Sequence, residues 1–387
     1  MKIKCCDWCS FRDAVIRTKA RILMFGAGAI GQVSAPEILR EYGLLSYVDC
    51  YLDNDQSKWG AQLEVCGKNF EIKPPVYLEE CKGAAVILLN ISRYTEVIRQ
   101  LETMHCTEGM DCYIMPMMLL QNFCTEKSKG APVFTDQALI PKKLHYMWLG
   151  KNPLPDNLQK CIESWKKYCP DYEIIEWNED NYDIGKHIYM KHAYEAKAYG
   201  FVPDYARLDI LYNEGGFYLD TDVELRRSIE DLRFQESFCG VEKWQIINFG
   251  GLSGSVKGHT MLKAFLDRRA DVDFYHKDGS LNRNTCGFYD TGVALKYGYK
   301  INGETQCING MNIFASDYFQ PFDYMSGIIN ETENTYSVHW FNGGWLDEEM
   351  KAANEEAKQR YMEMYRRAIE CRSEMMVHNN ASEGNCR

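Results

Sequence analysis

Apolar and polar positions divide the chain into two runs of strand-like and helix-like segments, with a polar stretch between them. In the first run, Arg21 to Phe25 is a short apolar strand that leads into Gly26-Ala27-Gly28-Ala29-Ile30-Gly31 and then helix-compatible sequence to Tyr42. Tyr47 to Leu52 reads as a second strand ending at Asp53, and Ala84 to Leu89 as a buried one. Thr95 to Met104 reads as a helix and Cys112 to Ile114 as a further strand. Strands alternating with helices predict an α/β domain with a parallel sheet. From Gln121 to Pro141 the apolar period fades and linker residues accumulate, which places a boundary near Lys129.

The second run opens with Ile140 to Gly150, a period-two strand that presents Trp148 near its end. A helix from Asp156 to Tyr168 and a strand from Glu173 to Trp177 follow. Pro203 suits a first helical turn and Gly215-Gly216 a stop, so a helix is expected over Pro203 to Glu214. Phe217 to Val223 then reads as a strand or extended exit. From Asp347 to Arg372, apolar residues at helical spacing (Met350, Ala353, Ala357, Tyr361, Tyr365, Ile369) predict a packed helix, with disorder after Met376. The expected organisation is a smaller α/β domain over 1–128, a second α/β domain over 138–346, and a C-terminal helix and tail over 347–387.

Composition fits this picture. The 387 residues are 45% hydrophobic and 26% charged, a globular profile with material for more than one core. A formal net charge of -11, with only isolated basic pairs such as Lys142-Lys143 and Arg226-Arg227, argues against a nucleic-acid partner. The sixteen cysteines are scattered, without an apparent signal peptide, which favours a reducing compartment over a disulfide framework. No run approaches the ~18 apolar residues of a membrane span. The expected location is therefore cytoplasmic. Cys6-Asp7-Trp8-Cys9 has the C-x-x-C spacing, but nothing downstream completes a zinc site.

Two segments carry candidate chemistry. Gly26, Gly28 and Gly31 form a strand-to-helix glycine turn, and Asp53 follows the next strand where an acidic side chain can hold ribose hydroxyls. A nucleotide site and a purely structural turn are both open readings there. The segment resembles the Rossmann-like N-terminal domains of bacterial sugar-modifying enzymes. In the second run, Asp204 and Arg207 are three apart on one helix and share a face. Side-chain alternation puts Asp220 and Asp222 on one side of an extended segment, ~6.5 Å apart along the chain. Two carboxylates so close lose hydration on burial, and a divalent cation such as Mg2+ or Mn2+ offsets that cost with open positions for diphosphate oxygens.

Ile140 to Gly150, Asp204-Tyr205-Ala206-Arg207, Gly215 to Asp222 and His339 to Trp345, in that order, resemble the DXD sugar-transfer domain of glycosyltransferase family 32. That family includes capsular-polysaccharide synthesis proteins. The resemblance spans about residues 138–346 and implies a GT-A fold. It also implies a nucleoside-diphosphate sugar donor and a glycan or lipid-linked glycan acceptor, reached from the cytoplasmic side of the membrane. Carried over by position, Trp148 stacks on the donor base while Asp204 and Arg207 hold donor sugar and phosphate. Asp220 contacts ribose or sugar, Asp222 ligates the metal with Asp220, His339 completes the metal shell, and Trp345 closes over the diphosphate. Pro203 stands where the family usually has serine. Asn248 and Ser253 are candidates for sugar hydroxyls. The family is expected to retain anomeric configuration, and Glu242 and Asp290 are the acids to examine for a nucleophile. Two other readings compete: an oxidoreductase using a nicotinamide cofactor at the glycine turn, and a catalytically silent nucleotide-sugar-binding protein.

Overall fold

The computed structural model describes residues 1–4, 6–81, 84–91, 94–123, 130–282, 284–324 and 327–342, together with scattered helical positions between 352 and 366. It divides into two compact units. One holds residues 1–126 with two C-terminal segments, and the other holds 127–324 and 328–347.

The first unit is a seven-stranded sheet, β1 (Lys2–Lys4), β2 (Arg21–Phe25), β3 (Val48–Leu52), β4 (Gln62–Val65), β5 (Lys68–Lys73), β6 (Ala85–Leu89) and β7 (Asp111–Ile114), in the order β1-β7-β6-β2-β3-β5-β4. All pairings are parallel except that of β4 with β5. Helices α1 (Trp8–Thr18), α2 (Ala35–Glu41), α3 (Tyr94–Thr103) and α4 (Met115–Phe123) connect the strands. The apolar runs at β2, β3, β6 and β7 are the central strands, buried as continuous hydrophobic segments must be in a parallel sheet.

Helix α1 and the β4–β5 hairpin are among the elements of this unit that escaped the hydrophobic reading. Helix α1 begins where the Asp7 side chain accepts a hydrogen bond from Ser10 N at 2.7 Å, so the residue inside the C-x-x-C spacing is an N-cap. Its apolar anchors, Trp8, Phe11 and Val15, are fully buried. The β4–β5 hairpin turns through Cys66 and Gly67, both at positive φ, as a tight two-residue turn requires. Its outer face is polar, which hid it.

The second unit contains β8 (Lys143–Met147), β9 (Glu173–Trp177), β10 (Gly216–Tyr218), β11 (Val223–Leu225), β12 (Ser237–Val241), β13 (Ile247–Asn248), β14 (Ser253–Ser255), β15 (Gln306–Ile308), β16 (Met311–Phe314), β17 (Phe322–Asp323), β18 (Ile328–Ile329) and β19 (Ser337–His339). Its helices are α5 (Asp156–Tyr168), α6 (Ile188–Glu195), α7 (Pro203–Glu214), α8 (Thr260–Arg269), α9 (Cys286–Lys296) and α10 (Ser316–Phe319). The main sheet runs β15-β16-β12-β14-β10-β8-β9, with β13 on β12, while β11 pairs with β19 and β17 with β18 in separate ribbons. Strands β8, β9, β10, β12 and β16 all point one way, because β14 lies antiparallel between β10 and β12. Their carboxyl ends therefore share one edge, where α/β sheets bind ligands.

Trp165 on α5, fully buried, packs in the core with Tyr146, Phe217 and Leu225. Its indole Nε1 donates to the Val223 carbonyl at 2.7 Å and so ties α5 to β11. The expected helix at 347–372 lies almost wholly outside the described residues, as do Trp345 and everything beyond 366. Replacing Trp165 with Phe is expected to cost roughly 1–3 kcal/mol, because the shape is nearly kept while a buried carbonyl is left unpaired. Urea unfolding followed by circular dichroism measures it.

Candidate active site

Helix α7 is fixed at its end by glycine geometry. Gly215 and Gly216 take φ of +69° and +98°, and a Cβ on Gly216 would lie 2.8 Å from the Lys143 carbonyl and 3.0 Å from His145 Nε2. Only a residue without a side chain lets the chain fold from α7 into β10 this close to β8. Buried His145 seals the junction: Trp177 Nε1 donates to its Nδ1 at 3.1 Å, so Nε2 carries the proton and donates to the Gly215 carbonyl at 2.9 Å. Burial lowers the pKa of His145 and keeps that tautomer neutral.

Asp204 and Arg207 share a face of α7, as their spacing predicts. Arg207 Nη2 stands 3.2 Å from Asp204 Oδ1 and 3.3 Å from Asp220 Oδ2, with the guanidinium over the Tyr218 ring at 5.9 Å. Arg207 is 5% exposed, and its Nε has no hydrogen-bond partner among the described residues. A buried N–H left unpaired beside two carboxylates is a donor aimed at a missing acceptor. Behind it, Arg269 holds both oxygens of buried Asp290 at 2.7 Å and donates to the Asp204 carbonyl. Burial, opposed by Arg269, raises the Asp290 pKa. With both oxygens committed, Asp290 is a brace for Asp204 and no free nucleophile.

The D-x-D segment departs from the extended geometry expected of it. Strand β10 stops at Tyr218, Val223 N bonds to the Asp220 carbonyl at 3.1 Å, and residues 221–222 form a turn. The turn arises because the chain must leave the main sheet to pair with β19, which places Val223 opposite His339. It separates the two carboxylates by role. Asp220, anchored through its N–H to the Gly250 carbonyl at 2.8 Å, faces Arg207. Asp222 accepts from Asn342 N at 2.9 Å and meets His339 Nε2 at 3.2 Å. Burial raises the Asp220 pKa, helped by Asp222 and opposed by Arg207 and His339. Burial also acts on Asp222, but His339 and the Asn342 amide outweigh it and bring its pKa down. Burial disfavours the His339 imidazolium, yet Asp222 holds its pKa above the ordinary value.

Of the residues expected to form a metal shell, Asp222 and His339 are in contact and Asp220 faces Arg207. Among the described residues no three His, Cys, Asp or Glu side chains stand together as a metal-holding group. Asp222 and His339 offer a carboxylate and an imidazole side by side, donors of the kind that would hold a divalent ion. Ligands at ~2.1 Å on adjacent octahedral positions lie about 3 Å apart, and Oδ1 and Nε2 are separated by 3.2 Å.

Other residues named from sequence fall elsewhere. Trp148 follows β8 on the same sheet edge as Asp220 and Asp222, half-buried, its Nε1 donating to Asn152 O at 2.6 Å. Asn248 positions the glycine loop through Gly250 N at 2.7 Å, and buried Ser253 donates to the Phe249 carbonyl at 2.7 Å, so both act on the backbone. In the first unit, Gly26 opens the turn at φ +116° and Gly28 has open space. A Cβ on Gly31 would lie 2.1 Å from the Gly26 carbonyl. Asp53 Oδ2 accepts from Ala27 N at 2.8 Å and pairs with Lys58 at 3.3 Å. Sequence reasoning passed over Arg269 as a brace and Gly250 as a contact, since neither lies in a spaced motif.

Comparison with known proteins follows this geometry. Residues 155–239, which hold Asp204, Arg207, Asp220 and Asp222, match the family described as glycosyltransferase sugar-binding region containing DXD motif. Over 124 residues the chain is 27% identical to Subversion of eukaryotic traffic protein A of Legionella pneumophila, covering 25% of this chain and 19% of that protein. Over 160 residues it is 28% identical to inositol phosphoceramide mannosyltransferase 3 of Schizosaccharomyces pombe, covering 38% and 44%. The chain thus spans less than half the length of either relative. Among solved structures, PaToxG Glycosyltransferase aligns with a TM-score of 0.33 and 14% identity over 41% of this chain and 68% of that one. The sequence matches support a glycosyltransferase.

Two outcomes follow. A Cβ at Gly250 would sit 2.0 Å from Asp220 Oδ2 and 3.0 Å from Arg207 Nη1. Gly250→Ala should therefore part this ion pair and cost roughly 3–5 kcal/mol, as breaking a buried pair does, read as a fall in the denaturation midpoint. Burial pushes the Glu242 carboxyl up to about 7, His339 opposing and Asp323 adding to it. An acid with a raised folded pKa destabilises the fold as pH rises from its unfolded pKa through its folded one. Glu242→Gln should thus gain Tm relative to wild type between pH 5 and 8, with a difference that levels off above about 7.

Proposed function

We propose that the chain is a metal-dependent glycosyltransferase that moves a hexose from a nucleoside-diphosphate sugar to a glycan or lipid-linked glycan. One observation carries this reading. A buried arginine with an unpaired N–H is held between Asp204 and Asp220, next to the Asp222–His339 pair, inside the segment that matches a DXD sugar-binding region.

In this reading, residues 138–346 form a GT-A domain. Asp222 and His339 hold Mn2+ or Mg2+, which when bound supplies Lewis-acid stabilisation of the leaving diphosphate. Arg207 donates to a phosphate or sugar oxygen through the N–H that lacks a partner. Asp204 and Asp220, acceptors fixed by the same guanidinium, orient hydroxyls of the donor sugar or ribose. Trp148 offers its ring to the base, and Trp345 is assigned to closure over the diphosphate by resemblance alone. Low dielectric around Arg207 strengthens each of these contacts. With Asp290 committed to Arg269, a front-face reaction that retains anomeric configuration is the assignment. A role in bacterial capsule or exopolysaccharide synthesis, in the cytoplasm at the inner membrane face, completes the proposal. Among the described residues no helix is long and apolar enough to cross a membrane, so a lipid-linked acceptor would be met peripherally.

The glycine turn of residues 1–128 is assigned a nucleotide or accessory role. Asp53 contributes a carboxylate already shared with Ala27 N and Lys58, which does not favour the oxidoreductase reading.

Calorimetric titration of UDP-, GDP- and CDP-sugars, with and without manganese, tests the proposal. One donor should bind and be slowly hydrolysed only with metal, and Asp222→Asn should weaken that binding at least about tenfold, ~1.4 kcal/mol. Binding that ignores both EDTA and the mutation, or no donor at all, would leave a silent scaffold.

A further inference from the structure

Just beyond β19 an aromatic residue takes a backbone conformation that bulky side chains rarely adopt. Phe341 has φ +48°, in the left-handed region where glycine is the unstrained choice. Strain of this kind persists only where the surroundings hold it, and it gathers at functional positions. Here the residues on either side are both fixed. Trp340 N donates to the Asp222 carbonyl at 3.0 Å, and Asn342 N donates to Asp222 Oδ2 at 2.9 Å. Trp340 is also anchored through its ring, whose Nε1 donates to Glu224 Oε2 at 3.0 Å and whose centroid lies 5.4 Å from that of Phe322.

The strained turn has a definite product. In a continued strand, residues two apart stand ~6.5 Å apart on one face. The left-handed residue instead folds the Phe341 ring back onto the His339 imidazole, with ring centroids 3.9 Å apart and planes inclined by 19°. The Tyr324 ring stands 5.0 Å from that of Phe341, tilted by 45°.

His339 lacks the support that a cation-holding imidazole usually has. Its Nε2 meets Asp222 Oδ1 at 3.2 Å, while Nδ1 is buried without a hydrogen-bond partner. Such a ring is ordinarily oriented by a hydrogen bond at its other nitrogen. Stacking does that work here, because rotation of the imidazole out of its plane would drive it into the phenyl ring. The negative face of the phenyl ring also favours the positive charge that an imidazole gains from a bound cation.

We propose that Phe341 is a positioning residue for a cation site at Asp222 and His339: its strained backbone holds the phenyl ring against the imidazole, and the ring keeps Nε2 aimed beside the Asp222 carboxylate. This rests on the metal reading of that pair. Strain and stacking oppose each other in stability, but only the stacking acts on the cation.

Manganese alone is the probe, its free concentration followed by electron paramagnetic resonance with wild type, Asp222→Asn, Phe341→Tyr, Phe341→Leu and Phe341→Gly. Binding that disappears in Asp222→Asn belongs to this site. Phe341→Tyr should keep it. Phe341→Leu, with apolar bulk but no flat ring, and Phe341→Gly, which suits the backbone, should each weaken it at least about tenfold, ~1.4 kcal/mol. Near-ultraviolet circular dichroism checks that each variant is folded, and if one of the two is not, the other decides. Wild-type affinity in the folded Leu or Gly variant overturns the assignment, as does equal weakening in Phe341→Tyr. Wild type that binds no manganese, or binds it no better than Asp222→Asn, sinks the metal reading and the assignment with it.

Discussion

A guanidinium removed from water is the constraint around which the second unit is organised. Arg207 stays charged in a buried position only because Asp204 and Asp220 stand on either side of it. Everything nearby serves that arrangement. The α7 helix supplies Asp204 at the right offset, the glycine pair at its end returns the chain beside β8, and Gly250 leaves the space that the Asp220 carboxylate fills. Arg269 repeats the device one layer further in, where Asp290 neutralises it and its other N–H groups hold the backbone of Asp204 and Cys286. Such a network is costly to assemble and costlier to break, which gives the site one geometry instead of several.

The same constraint separates the two aspartates of the D-x-D segment. A regular strand would have aimed both at one point, where Arg207 and a metal would compete for them. The turn at 221–222 gives Asp220 to the arginine and Asp222 to His339. The second partner is supplied by β19, a strand more than a hundred residues later in the chain. The C-terminal ribbon is therefore part of the site: Trp340 N and Asn342 N both hold Asp222. An acidic pair with a short spacing thus becomes two different chemical tools.

Much was written in local patterns. The ends of α7 follow from Pro203 and from the Gly215-Gly216 stop, since these signals act within a few residues. The i, i+3 pairing of Asp204 with Arg207 is likewise a property of any helix. The central strands of the first unit were legible as apolar runs because burial on both faces leaves no alternation to misread. By contrast, α1 and the β4–β5 hairpin have mixed surfaces, and their start and turn depend on Asp7 and on Cys66-Gly67, residues too ordinary to stand out.

What the sequence by itself determined was the central strands of the first unit, the run from β8 to α7, and the residue types able to bind a phosphate, a sugar or a cation. Tertiary structure decided which of those residues meet. It gave Asp290 to Arg269, turned Asp222 toward His339, and used Asn248 to hold the loop at Gly250. The physical reason is range. Propensity, capping and periodicity act over one or two turns of chain, whereas charge pairing in a low dielectric depends on distances in space that only the packed sheet, its carboxyl edge and the returning β19 can set.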